Sequence, residues 1–436
     1  MDFSSLLWSI PFLGIIFSMS FFPLLYPRFW HKYGAYVPLL CSAIYLFFIA
    51  YIFGFSAVFK AAFEPIFDHY LPFIILISAL YIVSGGIYLD FPRGYGPLFN
   101  VGFLFFGSLL AGWIGTTGAA TLLIRPLLRA NLGRKTQTHI LVFFLFLVAN
   151  IGGAATPLGD PPLLIGFLEG IDFFWFFKNL YPFFLSAIIG LCSLFFMLDV
   201  FLFKLDPPIR RDKTDSPLFI LRGSVNLYLI ALILISVIFC NFKGGFTLFG
   251  ESFMYSSLIR NGVIAAIAFI SIKITPHTIR EKNSFSFDPI KEVAELFIGI
   301  FITVTPIIHI LHQGQSGALN FMFDWIAPDA NFIASKCFWA CGLLSAFLDN
   351  APTFLIFFHM TSGNAMELMT TKANILSAIS VSTVFMGALT YIGNAPNLIV
   401  KSIYSHYGLK PPSFFGYITW SVIILIPMFL IIAKYF

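Results

Sequence analysis

Charge is what this sequence lacks. Only 10% of its 436 residues are Asp, Glu, Lys or Arg, against roughly 25% in a soluble domain. So few charges cannot cover a water-facing surface, which excludes an ordinary soluble domain, a disordered chain and a nucleic-acid-binding protein. Cysteine is scarce as well: five residues and no CxxC, so there is no secreted disulfide framework. Cys337 and Cys341 share a helix face, but small buried packing residues explain them better than a metal or redox pair does. The eight His contain no HExxH, and no GxxxxGK[ST] loop or sizeable polar domain occurs. ATP-driven pumping therefore has no support. What remains is 59% hydrophobic residues, 57 of them Phe, and a mean hydropathy of +0.91. The solvent of such a chain is lipid, and its net charge of +5 matters only through where the Lys and Arg sit.

A crossing needs about 20 apolar residues. Spans are expected near 5–26, 35–57, 70–90, 138–168, 181–204, 224–242, 256–274, 292–311, 373–404 and 413–434. The first begins without a basic flank and is long enough to cross, so it reads as a span rather than a cleaved signal. Two further segments, 98–130 and 331–361, are too long for one crossing. Each carries a helix-breaking tip, Gly115-Thr116-Thr117-Gly118 and Asp349-Asn350-Ala351-Pro352. They read as re-entrant hairpins, tolerated where buried in protein or lining a cavity. Ten crossings then place 18 Lys and Arg on one side and 7 on the side of the termini. By the positive-inside rule the termini face away from the cytoplasm of an inner, cytoplasmic membrane. The fold class is an all-α polytopic membrane protein of about 10 transmembrane helices, two hairpins and two broken helices.

The sequence also repeats. Gly153–Ile165 lies over Gly387–Ile399 at an offset of 234, with seven of thirteen positions identical and Asp160 opposite Asn394. Thr117–Ile124 lies over Asp349–Ile356 at an offset of 232. The units are 1–205 (hairpin 98–130, broken helix 138–168) and 224–436 (hairpin 331–361, broken helix 373–404), joined by a cytoplasmic linker at 206–223. Five crossings between the hairpins make the repeat inverted. Inverted repeats with discontinuous helices point to a secondary transporter whose site lies near the midplane.

The residues at these breaks are the candidate site. Asp160 and Asp349 are ionisable groups placed near the bilayer centre, where a charge costs at least ~2.5 kcal/mol. Each also stands where a helix N-cap would stand, followed by Pro, so capping and function compete for both. Thr116, Thr117, Thr121, Thr156, Asn350, Thr353, Thr390, Asn394 and Asn397 supply hard neutral oxygens suited to Na⁺. The coupling ions expected are Na⁺ and H⁺, with Na⁺ at Asp160, Asp349, Asn350 and Asn394 and no cofactor. Arg125, mid-arm in the first hairpin, would contact an anion, pair with Asp160 or snorkel to the membrane face. Glu295, Asp199 and the group His309, His312 and His359 read as interfacial or helix-end residues.

The stretches Gly115–Pro126, Asn150–Ile165, Glu292–Pro306, Gly342–Phe358 and Gly387–Ile399 resemble the ion transporter superfamily. That group includes NhaD-type sodium/proton antiporters, ArsB-type pumps, citrate–metal–proton symporters and divalent anion/sodium symporters. The branch most similar is the one whose members are named sodium:proton antiporters or citrate transporters. The resemblance implies a dimerising scaffold, a transport domain holding hairpins and broken helices, and elevator-like alternating access. The symporters of that superfamily carry Ser-Asn-Thr at both tips; here the tips read Thr116-Thr117-Gly118 and Asp349-Asn350-Ala351. On the sequence alone a Na⁺/H⁺ antiporter is expected first. The alternative is a cation-coupled symporter of citrate or a related di- or tricarboxylate. The partners expected are the lipid bilayer, small ions and a second copy of the chain.

Overall fold

The computed structural model describes residues 6–91, 96–206, 219–240, 244–248, 251–314, 320–327 and 332–436. Most of the linker, with Arg210, Arg211 and Lys213, lies outside the described residues. Helix dominates, as it must where no water can satisfy backbone N–H and C=O groups. Among the described residues eight helices are long and apolar enough to cross a membrane, or nine if the pair Asp288–Thr303 and Thr305–His312, bent by 43°, counts as one span. Val225–Phe239 and Ala373–Leu389 are shorter apolar helices. The chain is an all-α polytopic membrane protein.

The structure departs from the sequence reading in several places. The helix expected near 70–90 begins at Phe55 and runs to Ser84. Its middle, Pro65–Tyr70, is a π-helical turn. The wider turn absorbs Pro65, whose ring would break a regular α-helix. Two short antiparallel ribbons were not anticipated either. Tyr88–Asp90 pairs with Ile220–Arg222, and Gly245–Leu248 with Glu251–Met254. Each is only three or four residues long, too short for a period-two pattern to stand out in an apolar chain.

Both segments read as hairpins break at one residue. Pro97–Ile114 ends at Gly115, and Thr116–Ala130 begins beyond it. Ala334–Leu348 ends at Asp349, and Asn350–Thr361 follows. Gly115 has φ +84° and Asp349 φ +73°. Glycine adopts that conformation freely, and aspartate is among the few other residues that tolerate it. These two breaks are 234 residues apart, so by conformation Gly115 matches Asp349 and Thr116 matches Asn350. This is two residues from the register that side-chain identity suggested.

The broken helices share a second pattern. Thr138–Leu147 passes through a 3₁₀ turn at Ile151–Ala155 to Pro161–Leu168. Ala373–Met386 passes through Gly387–Leu389 to Ala395–His406. In each, a threonine hydroxyl donates to a carbonyl in the first arm of a hairpin. Thr156 Oγ1 reaches Gly112 O at 2.5 Å and Thr390 Oγ1 reaches Ala346 O at 2.5 Å. The helices Thr138–Leu147 and Ala373–Met386 are almost wholly buried, whereas Tyr36–Phe53 presents much of its apolar surface outward, as a lipid-facing helix does.

For the topology, Lys178 and Lys410 are both exposed and are expected on opposite faces. Single cysteines at the two positions in intact cells should be labelled by a membrane-impermeant thiol reagent only at 178. Labelling of both from outside would contradict the ten-crossing arrangement.

Candidate ion and substrate site

The elements meet at Asp160. It immediately precedes Pro161–Leu168, in the N-cap position, yet makes no capping hydrogen bond. Its carboxylate is directed elsewhere. Thr116 Oγ1 donates to Oδ1 at 2.7 Å, Asn394 Nδ2 donates to Oδ1 at 3.1 Å, and Asn350 Nδ2 donates to Oδ2. Each donor belongs to a different element: the first hairpin, the second broken helix and the second hairpin. Asp160 is 2% exposed, Thr116 1%, Asn394 2% and Asn350 0%.

Four helix amino ends therefore converge on one carboxylate: Thr116–Ala130, Asn350–Thr361, Pro161–Leu168 and Ala395–His406. The unpaired amides and aligned dipoles of helix amino ends favour negative charge. Among the described residues no Lys or Arg forms an ion pair with Asp160. Helix ends and neutral donors hold it. One acceptor is left over: Asn350 Oδ1 is buried without a hydrogen-bond partner. Buried polar atoms are ordinarily satisfied, so an orphaned carbonyl oxygen beside a carboxylate suits a hard cation, which takes oxygen ligands.

The other candidates divide into contributors and staples. Asn397 Nδ2 donates to Gly387 O and Thr390 O, both at 3.0 Å, closing the second break on itself. Thr156 and Thr390 spend their hydroxyls on the hairpins. Thr353 Oγ1 donates to Asp349 O at 2.7 Å, and Thr121 Oγ1 to Thr117 O at 2.9 Å. Asp349 caps its own helix, accepting from Ala351 N at 3.2 Å. Thus Asp160 stands at the centre and Asp349 holds a hairpin tip. Arg125 does not reach Asp160; its Nη1 donates to Thr121 O at 3.1 Å, and it lines a separate cavity.

Two polar groups were missed or misread from sequence. Asn150 donates to Leu145 O at 2.8 Å and Asn397 Oδ1 at 2.7 Å, and its own Oδ1 accepts from Asn394 at 3.3 Å. It stitches the two breaks together. The signal was available, since Asn150 ends the apolar run from Ile140 just before Gly152-Gly153. Asp199, read as a helix-end residue, is wholly buried and accepts from Arg134 at 2.5 Å, His139 at 2.8 Å and Asn100 at 2.8 Å. Arg134 also pairs with Asp206 at 3.0 Å. This network ties the base of the first hairpin to the long helix Phe173–Leu205.

A buried carboxylate held by neutral donors at paired helix breaks, in an all-α membrane protein, is the kind of arrangement that discontinuous helices build in secondary transporters. The chain belongs to the family described as "Putative citrate transport", which it matches over residues 2–436. Comparison with curated proteins finds no match.

Two sets of variants check the geometry. Asp160→Ala removes the common acceptor and leaves two buried donors, Thr116 Oγ1 and Asn350 Nδ2, unpaired, each worth about 1–3 kcal/mol, while Asn394 keeps Ala149 O and Asn150 Oδ1. It should melt well below wild type in detergent, with Asp160→Asn in between. Asp349→Asn keeps both the cap and the tolerance of positive φ. Asp349→Val loses the cap, about 1 kcal/mol, and adds backbone strain of about 1–3 kcal/mol. Equal melting of the Asn and Val variants would refute this account of the tip.

Proposed function

We propose that the protein is a secondary active, cation-coupled transporter of a citrate-class di- or tricarboxylate. The convergence of four helix amino ends on the Asp160 cluster carries this reading. Amide ends favour an anionic group, and Asp160 with the orphaned Asn350 Oδ1 supplies oxygens for the coupling cation. An anion of two or three charges would not settle beside Asp160 alone. A cation bound first neutralises that repulsion, so coupling follows from Coulomb's law in a medium of low dielectric. The family's description supports the same substrate class.

The matched breaks 234 residues apart support two repeats of inverted topology. Hairpins and broken helices would then move as one body past the helices of a dimerising scaffold, exposing the cluster to each face in turn. A close contact marks the sliding surface: a Cβ on Gly118 would come within 2.8 Å of Ser84 Oγ.

The second reading, Na⁺/H⁺ antiport, is favoured by the neutral character of the shell around Asp160. In it one carboxylate exchanges a proton for Na⁺ and no organic solute is carried. Proteoliposomes separate the two. Labelled citrate should accumulate when an inward Na⁺, proton or divalent-cation gradient is imposed, and Asp160→Asn should abolish it. Na⁺-driven proton movement of full amplitude without any carboxylate, together with no citrate uptake, would reject the symport reading in favour of antiport.

Gly118→Val should reduce turnover at least tenfold, the scale of about 1.4 kcal/mol, because its branched side chain wedges against Ser84. Substrate binding measured in detergent should change little. Wild-type turnover in that variant would remove Gly118 from the moving surface.

A further inference from the structure

A cavity of about 980 Å³ separates the two groups of elements. Its hairpin-side wall comprises Thr121, Leu122 and Arg125 with residues of the helix Ala395–His406; the opposite wall includes Trp30, Tyr81, Ser84 and residues 283–296. Ser84 also meets Gly118, one turn from Thr121, so the cavity ends where the closed contact begins. Beyond that contact lies the Asp160 cluster.

Arg125 is the one charged residue that the hairpin contributes to this wall. One turn further on, Arg129 is paired with Asp90 at 2.9 Å, and Arg134 is paired with two aspartates. Arg125 has no carboxylate partner among the described residues. Its hydrogen bond goes to a carbonyl of its own helix, and most of its five donors stay available. The acids across the cavity are engaged on their own side. Glu295 pairs with Lys291 at 3.7 Å, Glu292 accepts from Trp30 Nε1 at 3.4 Å, and Asp288 sits in the first turn of its helix. Lys32 and Lys291 also line the cavity, so its three acids face an equal number of cations. A planar guanidinium with unspent donors facing an open cavity suits bidentate capture of a carboxylate.

We propose that this cavity is a vestibule binding station for the di- or tricarboxylate, with Arg125 as the residue that recognises it. Nine residues separate Arg125 from Thr116 on one helix, roughly 13 Å along its axis. The Gly118–Ser84 contact stands between them, so the vestibule and the Asp160 cluster are successive stations. Arg125 rides on the same hairpin as Thr116. It therefore moves with the site and delivers anions to it, while selecting against neutral and cationic solutes. This proposal rests on the carboxylate reading of function.

The test uses the full-length protein with a cysteine at Ser402, which lines the same cavity. Citrate should slow the reaction of Ser402→Cys with an anionic thiol reagent, and combining it with Arg125→Gln should abolish that protection. In proteoliposomes Arg125→Gln should raise KM for citrate roughly tenfold or more with a smaller effect on Vmax, and Arg125→Lys should fall between. Melting temperature in detergent establishes that both variants fold. Wild-type protein that carries no carboxylate would overturn the functional reading, whichever way Arg125 behaves. Transport by wild type with no citrate protection at Ser402→Cys, or with KM unchanged in folded Arg125→Gln, would overturn the vestibule alone.

Discussion

The structure depends on how broken backbone is satisfied where there is no water. Each helix that stops inside a membrane leaves amide and carbonyl groups that lipid cannot satisfy, at several kcal/mol each. At its hairpin tips and helix breaks this protein stops four helices in its interior and resolves the problem locally. Threonine hydroxyls at 156 and 390 bind hairpin carbonyls, asparagines at 150 and 397 bind carbonyls at the breaks, and the hairpin tips turn through Gly115 and Asp349. The amino ends that remain are drawn together around Asp160. The candidate site follows from the same requirement as the fold, because the helix ends that the breaks expose are what gather there.

The same logic separates two kinds of buried charge in the molecule. Asp199 is paired with Arg134, meets His139 and joins elements together. Buried pairs of this kind are costly to break from one side, since the partner is then left uncompensated. Asp160 is held by uncharged donors and helix ends, an arrangement that leaves its charge available to a mobile partner. A buried carboxylate with a fixed cation joins elements; one without it is a candidate binding site.

Glycine here permits close approach as well as turning. At Gly118 the hairpin arm comes against the helix Leu71–Ser84. Close helix contacts through small residues are how membrane helices pack without hydrophobic driving force. A smooth contact of this kind beside a cavity is compatible with one body sliding past another. The cavity's hairpin wall, with Arg125, would travel with it.

Much was legible in the sequence alone. Composition fixed the solvent, apolar run lengths showed a polytopic chain though not every span's bounds, and Gly, Pro and Asp at the tips marked the breaks, because those residues disrupt helices wherever they occur. Asp160, Asn350, Asn394 and Thr116 were named from residue type and position, and the structure brings them together. Local chemistry could not decide where the side chains would point. Asp160 and Asp349 stand before the same kind of helix start, yet only Asp349 caps. The difference lies in three donors that reach Asp160 from segments 44, 190 and 234 residues away. The threonines divided into donors to the site and staples for the same reason. Asn150, Asp199 and the two-residue shift in hairpin register became visible only in three dimensions. A hydrogen bond is set by the position of both partners, and a sequence states the identity of each but not their separation.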